Sequence, residues 1–162
     1  GGDLGACTGG FTQLLLQRGA ARIYAVDVGH GQMHAELARD PRIIIRDGTN
    51  ARELDPAYFP DAITALTADL SFISLKLALP PALSLASSGA WAVFLVKPQF
   101  EVGRGAIGKG GIVRDPAARE AALADIVDFI ATQPGWRVLG SMESPIAGGD
   151  GNLEYLLAAM KP

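Results

Sequence analysis

One cysteine, Cys7, is all the thiol chemistry this 162-residue chain possesses. A disulfide framework and a thiolate metal cluster are therefore both excluded. Long apolar runs are missing too, so no stretch reads as a membrane span or a secretory leader, and the cytoplasm is the expected location. Positive charge is scarce: Lys and Arg number 14 against 17 Asp and Glu, leaving a net charge of −3 and a pI near 5.3. No global basic field then advertises nucleic acid. The two histidines, His30 and His34, stand one helical turn apart with no third ligand nearby, so surface histidines are expected rather than a metal site. Repeats, linkers and low-complexity tracts are absent.

What is present describes one globular domain. Hydrophobic residues make up 49% and charged residues 19%, enough apolar content at this length to bury a proper core. The basic residues are unevenly spread. Lys97, Arg104, Lys109, Arg114 and Arg119 face only Glu101 and Asp115 within residues 97–119, a local excess of three positive charges. The chain opens on "GGDLG", with almost no room for a strand before a glycine-rich turn, so the expectation is a domain spanning 1–162 that is cut at its amino end.

Apolar runs recur between helical or polar stretches: "ARIYAVD" (21–27), "RIIIRD" (42–47), "ITALTADL" (63–70) and "AWAVFLVK" (90–97). Such Ile- and Val-rich runs predict βαβ units and a parallel sheet, an α/β fold. Crossover helices are expected over 9–18, 30–39 and 75–86, the last disturbed by Pro80 and Pro81. Asp115-Pro116 reads as an N-cap followed by proline at the first helical position, with Leu123, Ile126, Val127 and Ile130 on one face. "WRVLGSME" (136–143) and "NLEYLLAAM" (152–160) then predict two strands joined by "SPIAGGDG". Trp91, Trp136 and most phenylalanines read as core.

Five charges sit at or just beyond the carboxyl ends of the expected strands: Asp3, Asp27, Asp47, Asp69 and Lys97. In open α/β sheets the ligand crevice lies outside those ends. A single aspartate there is as readily a helix cap; five beside a glycine-rich turn favour a site. That turn, "DLGACTGGFT" (3–12), places Gly5, Gly9 and Gly10 where backbone approaches a ligand before a helix. It is not a P-loop, since Phe11 stands where the lysine belongs, nor is it G-x-G-x-x-G. Asp27, about 20 residues on, is placed to bind both hydroxyls of a ribose. A ribose-bearing cofactor without a pyrophosphate fits, and S-adenosyl-L-methionine is the natural candidate.

The segments "DLGACTGGFT", "IYAVDVGHGQ", "ADLSFISL", "LVKPQFEVGRGAIGKGGIVRD" and "GNLEYLL" together resemble the TlyA family, haemolysin-like ribosomal RNA methyltransferases with an FtsJ-like catalytic domain. The likeness runs from Asp3 to about Leu157. It implies a Rossmann-like methyltransferase fold with a mostly parallel seven-stranded sheet flanked by helices. It also implies methyl transfer from S-adenosyl-L-methionine to ribose 2′-hydroxyls, with cytidine expected, and ribosomal RNA or ribosomal subunits as partners. The family's Lys-Asp-Lys-Glu set falls on Asp69, Lys97 and Glu154. Its first lysine belongs to a segment ahead of the first strand, and a small RNA-binding domain is expected upstream as well. The haemolysin name implies membrane lysis, for which no amphipathic basic helix speaks.

The chemistry asks for two things, orientation of the reactants and removal of a hydroxyl proton. Lys97 is the expected proton acceptor, provided its amine is freed by desolvation or a nearby cation; the competing reading is a snorkelling surface lysine. Asp69 is expected to orient Lys97 and the methionine end of the cofactor, or else to cap the helix near residue 75. Glu154 interrupts an apolar strand, either to position Lys97 or the hydroxyl, or as a solvated edge residue. Asp3 and Gly5 are expected to line the methionine part of the pocket, Ala6, Gly9, Gly10 and Phe11 to bind the cofactor beside them, and Asp47, with Thr49 and Asn50, to approach the adenine. Arg104, Lys109 and Arg114 read equally well as RNA phosphate contacts and as solvated loop charge. The alternative function is a cofactor- or RNA-binding module left incomplete without the first lysine.

Overall fold

A computed structural model describes residues 1–7 and 9–162; Thr8, inside the glycine-rich turn read from the sequence, lies outside the described residues. Seven strands form one sheet: β1 (Gly2–Leu4), β2 (Ile23–Val26), β3 (Ile43–Arg46), β4 (Ile63–Ala68), β5 (Ala86–Val96), β6 (Arg137–Glu143) and β7 (Tyr155–Lys161). Their order is β3-β2-β1-β4-β5-β7-β6. Strands β1 to β5 run parallel, and β7 is antiparallel to both β5 and β6.

The order reverses between β1 and β4, so the carboxyl ends of these neighbours open the crevice typical of doubly wound sheets. Strand β1 is paired along both edges, Asp3 opposite Ala25 on one side and Thr67 on the other. Alternate residues of β5, namely Ala90, Ala92, Phe94 and Val96, are buried against the helices, together with Leu66 and Leu157 of the flanking strands. Each large apolar side chain buried in this way contributes about 1.5–3 kcal/mol.

Helix α1 (Gly10–Gln17) follows the glycine turn, and α5 (Pro116–Thr132) is capped by Asp115, whose side chain accepts the Ala117 N–H. Ile126 and Ile130 of α5 are fully buried. Two expected crossovers are shorter than the sequence suggested. The 30–39 stretch yields only α2 (Ala35–Ala38), because Gly29 and Gly31 keep its first half in turns. The 75–86 stretch divides into α3 (Leu75–Ala78) and α4 (Pro80–Leu85), where Pro80 and Pro81 remove two successive amide donors.

The aromatic expectation needs correction. Trp136 is core and donates its indole N–H to the Leu83 carbonyl, but Trp91 is 43% exposed and Phe72 is 90% exposed. Trp91 falls on the β5 face opposite to Phe94, and Phe72 sits in a loop, so neither side chain reaches the core. No helix among the described residues is long and apolar enough to cross a membrane.

Candidate active site

The reversal in strand order brings the ends of β1, β2 and β4 around a cavity of about 520 Å³. Its wall includes Gly5, Asp27, Gly29, Thr49, Asn50, Asp69 and Phe72, interleaved with apolar Val26, Leu70 and Ile73. Gly5 makes this close junction possible. Its φ is +70°, and a Cβ there would stand 2.2 Å from the Asp69 carbonyl oxygen. Asp27 is held rigidly: Oδ2 accepts the Cys7 N–H at 2.6 Å and Oδ1 the Gly29 N–H at 2.9 Å. The carboxylate is thereby fixed at the end of β2, with remaining lone pairs for a bound diol.

The other residues expected around a cofactor fall into different places. Asp47 is absent from the described wall; its Oδ2 accepts the Gly31 N–H at 2.9 Å and braces the neighbouring loop. Asn50 does line the wall, and its Oδ1 accepts the Arg52 N–H. Ala6 packs with Ala25 and Ile43 against Met33 and Leu37. Gly9 follows it, since a Cβ there would lie 2.7 Å from Leu37 Cδ1, whereas Gly10 faces open space.

Asp3 differs most from expectation. It is buried beneath the turn, with Oδ2 accepting the Thr12 hydroxyl at 2.6 Å and Oδ1 the Thr67 hydroxyl at 3.2 Å. Burial pushes its carboxyl up to about 6 against the pull of those two hydroxyls. Asp3 thus ties α1 to β4 and lines neither cavity of the site.

A second cavity, about 430 Å³, opens beside the first and is walled by Phe11, Asp69, Lys97, the 144–149 loop, Glu154 and Leu156. Asp69 belongs to both walls. Its Oδ1 lies 2.6 Å from Lys97 Nζ, which also donates to Ser71 Oγ at 3.0 Å. The Lys97 side chain is only 14% exposed, so it is not a snorkelling surface lysine. Glu154 is buried immediately before β7 rather than solvated at an edge, and its Oε2 accepts the Gln99 amide at 3.0 Å. Burial pushes the Glu154 carboxyl up; the Gln99 bond and Lys97 oppose this, while Asp69 and Asp150 add to it.

The basic loop is more ordered than its glycines suggest. All three of its cations are exposed and in no ion pair among the described residues, but Arg114 lies back along the loop and donates to the Lys109 carbonyl at 3.0 Å. Asn152 fastens this loop to the site. It is fully buried, accepts the Val113 N–H, and donates to the Gly111 carbonyl and to Asp150.

Sequence reasoning passed over Ser71, Phe72, Gln99 and Asn152. Phe72 stands exposed at φ +63°, its ring 5.0 Å from that of Phe100, beside a shallow cavity that Arg52 and Arg104 also line. An aromatic residue directly after "ADLS", outside any apolar period, was the available signal. A further cavity of about 540 Å³ at the opposite ends of the strands includes Asp61, which is engaged by Arg22 and Tyr24.

Residues 2–161 match the FtsJ-like methyltransferase family. The chain belongs to that family. It is 47% identical over 155 residues to the 16S/23S rRNA (cytidine-2′-O)-methyltransferase TlyA of Mycobacterium tuberculosis, covering 96% of this chain and 58% of the relative. It is 40% identical over 155 residues to hemolysin A of Brachyspira hyodysenteriae, covering 95% of this chain and 64% of that one. The chain therefore spans less than two thirds of these relatives' length. A solved structure from Lactococcus lactis that carries a hemolysin name superposes with a TM-score of 0.94 at 39% identity, covering 99% of this chain and 77% of the other. The resemblance to TlyA read from the motifs is borne out. So is the Rossmann-like methyltransferase fold, which a fibrillarin/Nop5p complex shares at a TM-score of 0.70 and 14% identity.

Proposed function

We propose that this chain is the catalytic domain of an S-adenosyl-L-methionine-dependent enzyme that methylates ribose 2′-hydroxyls of ribosomal RNA, with cytidine as the target nucleoside. The observation that carries this reading is Asp69: one carboxylate forms the common wall of two adjacent cavities and grips Lys97 Nζ at 2.6 Å. Cofactor and nucleotide would meet there.

The first cavity suits the cofactor by the chemistry of its wall. Asp27 offers a fixed carboxylate to ribose hydroxyls, Thr49 and Asn50 offer polar atoms to a base edge, and Val26, Leu70 and Ile73 offer apolar surface. When bound, S-adenosyl-L-methionine supplies an electrophilic methyl on a sulfonium. The chain's own task is then to hold the ribose hydroxyl in line and take its proton. Lys97, as the amine, accepts that proton; Asp69 and Ser71 fix Nζ in position, and the charge gained remains paired with Asp69. Glu154 completes the far wall of the nucleotide cavity.

RNA contacts extend outward from this point. Arg104 and Lys109 meet phosphates, Arg114 shapes the loop that carries them, and Phe72 offers a face for stacking a base. Ribosomal RNA as substrate implies a cytoplasmic site of action. In the longer protein, an upstream RNA-binding domain and a segment bearing the family's first lysine complete the site. Among the described residues, Lys97 is the one lysine lining the second cavity, which favours as second reading a domain that binds cofactor and RNA but is inactive alone. Incubating the chain and a full-length version with labelled S-adenosyl-L-methionine and ribosomal subunits separates the two. Transfer by the full-length protein alone means that the upstream segment is needed; transfer by neither contradicts the enzyme reading.

A further inference from the structure

We propose that Gln99 is a positioning residue for Glu154: its side-chain amide holds that carboxylate charged and fixed on the wall it shares with Lys97. The proposal rests on the reading of Asp69, Lys97 and Glu154 as the reactive set and adds a member that the set lacks. Gln99 sits in the one-turn segment Pro98–Phe100 that closes β5, two residues beyond Lys97. The peptide that carries the proton acceptor thus also carries the donor to the carboxylate across the cavity.

The hydrogen bonding is lopsided. Gln99 is buried, its Nε2 donates to Glu154 Oε2 at 3.0 Å, and its buried Oε1 has no partner among the described residues. An unpaired buried oxygen costs about 1–3 kcal/mol. Here that cost is borne while the single bond formed goes to Glu154. Among the described residues, Gln99 is the only side chain that donates to the Glu154 carboxylate.

The surroundings leave Glu154 in need of such a donor. Lys97 at the end of β5 favours its charge, whereas Asp69 at the end of β4 and Asp150 in the 144–151 loop oppose it, and burial opposes it most. Gly148 lies directly against the carboxylate; a Cβ there would stand 2.6 Å from Oε2, so this side supplies no side-chain donor.

The test is a carbon-13 NMR titration of the Glu154 carboxyl in the isotope-labelled chain, its resonance assigned by its loss in Glu154→Gln. Gln99→Met, which keeps the shape and removes the donor, should move the Glu154 midpoint upward by on the order of one pH unit. Gln99→His, which presents a ring N–H, should return it to or below the original value. An unchanged midpoint in Gln99→Met overturns the proposal. If that variant fails to fold, the unmodified chain still decides. The Gln99 side-chain amide resonances should titrate with the Glu154 midpoint, and a flat response contradicts the coupling. In methyl-transfer assays on the full-length protein, Gln99→Met should shift the acid limb of the pH–rate profile upward, with affinity for S-adenosyl-L-methionine unchanged. Equal loss at every pH would reduce Gln99 to a folding role. A moved midpoint with transfer indifferent to both Gln99→Met and Lys97→Ala would retain the positioning and refute the activity instead.

Discussion

Replacing Asp3 by Asn should make the protein more stable at neutral pH, although Asp3 forms two hydrogen bonds in the native state. The carboxyl is raised by burial from 3.8 to about 6. Above pH 6 the folded protein must hold a charge that the unfolded chain carries at no penalty. About two pH units of elevation correspond to roughly 3 kcal/mol, the upper limit of what Asn could recover. The sign follows from linkage. A folded-state pKa above the unfolded one gives a stabilising contribution that is full below about pH 4 and lost as pH rises through about 6. The amide is accommodated: its oxygen still accepts the Thr12 hydroxyl, and its NH₂ faces Thr67, whose own hydroxyl can turn to the Gly2 carbonyl. Thermal unfolding at pH 7.5 should show Asp3→Asn ahead by several degrees, at about 2–4 °C per kcal/mol for a domain of this size. The advantage should vanish near pH 4. A variant less stable at pH 7.5, or a difference that does not change with pH, would refute the assignment of Asp3 as a buried, strained charge.

Gly5→Ala should cost more than about 2 kcal/mol in denaturant unfolding, since it combines a left-handed residue with a Cβ 2.2 Å from a carbonyl oxygen; a smaller loss would mean that the β1–β4 junction yields. Asp27→Ala should weaken S-adenosyl-L-methionine binding about 10- to 100-fold by calorimetry, the value of hydrogen bonds to a charged group, and unaltered affinity would remove Asp27 from the pocket. Arg104→Ala and Lys109→Ala should each reduce the salt dependence of RNA binding by about one counterion, whereas Arg114→Ala should instead loosen the loop that it braces. Equal salt slopes for all three variants would contradict that division.

Ile- and Val-rich apolar runs bounded by turn residues made the sheet legible in the sequence, and strand ends such as Asp27, Asp69 and Lys97 marked the candidate site, because position after a parallel strand is a topological fact. The rest depended on information that local pattern does not carry. Asp3 and Asp69 look alike in the chain, each an aspartate at a strand end. Only the packing of Thr12 and Thr67 shows that Asp3 points beneath the turn. Asp47 likewise spends an oxygen on a loop amide that folding brings alongside it. Gln99 and Asn152 escaped notice because their partners lie 55 and 39 residues away in sequence. Helix lengths failed where glycines or prolines removed the means of continuing, at residues 29–31 and 80–81.

The most direct test of the account is the position of the transferred methyl. Ribosomal RNA treated with the full-length protein and labelled S-adenosyl-L-methionine, digested to nucleosides and read by mass spectrometry, should carry the label on the ribose 2′-oxygen. Lys97→Ala should lower that yield by about 10²-fold or more, the scale of a positioned general base. Label on a nucleobase, or undiminished ribose methylation by Lys97→Ala, would contradict the central claim that Lys97, held by Asp69, takes the hydroxyl proton.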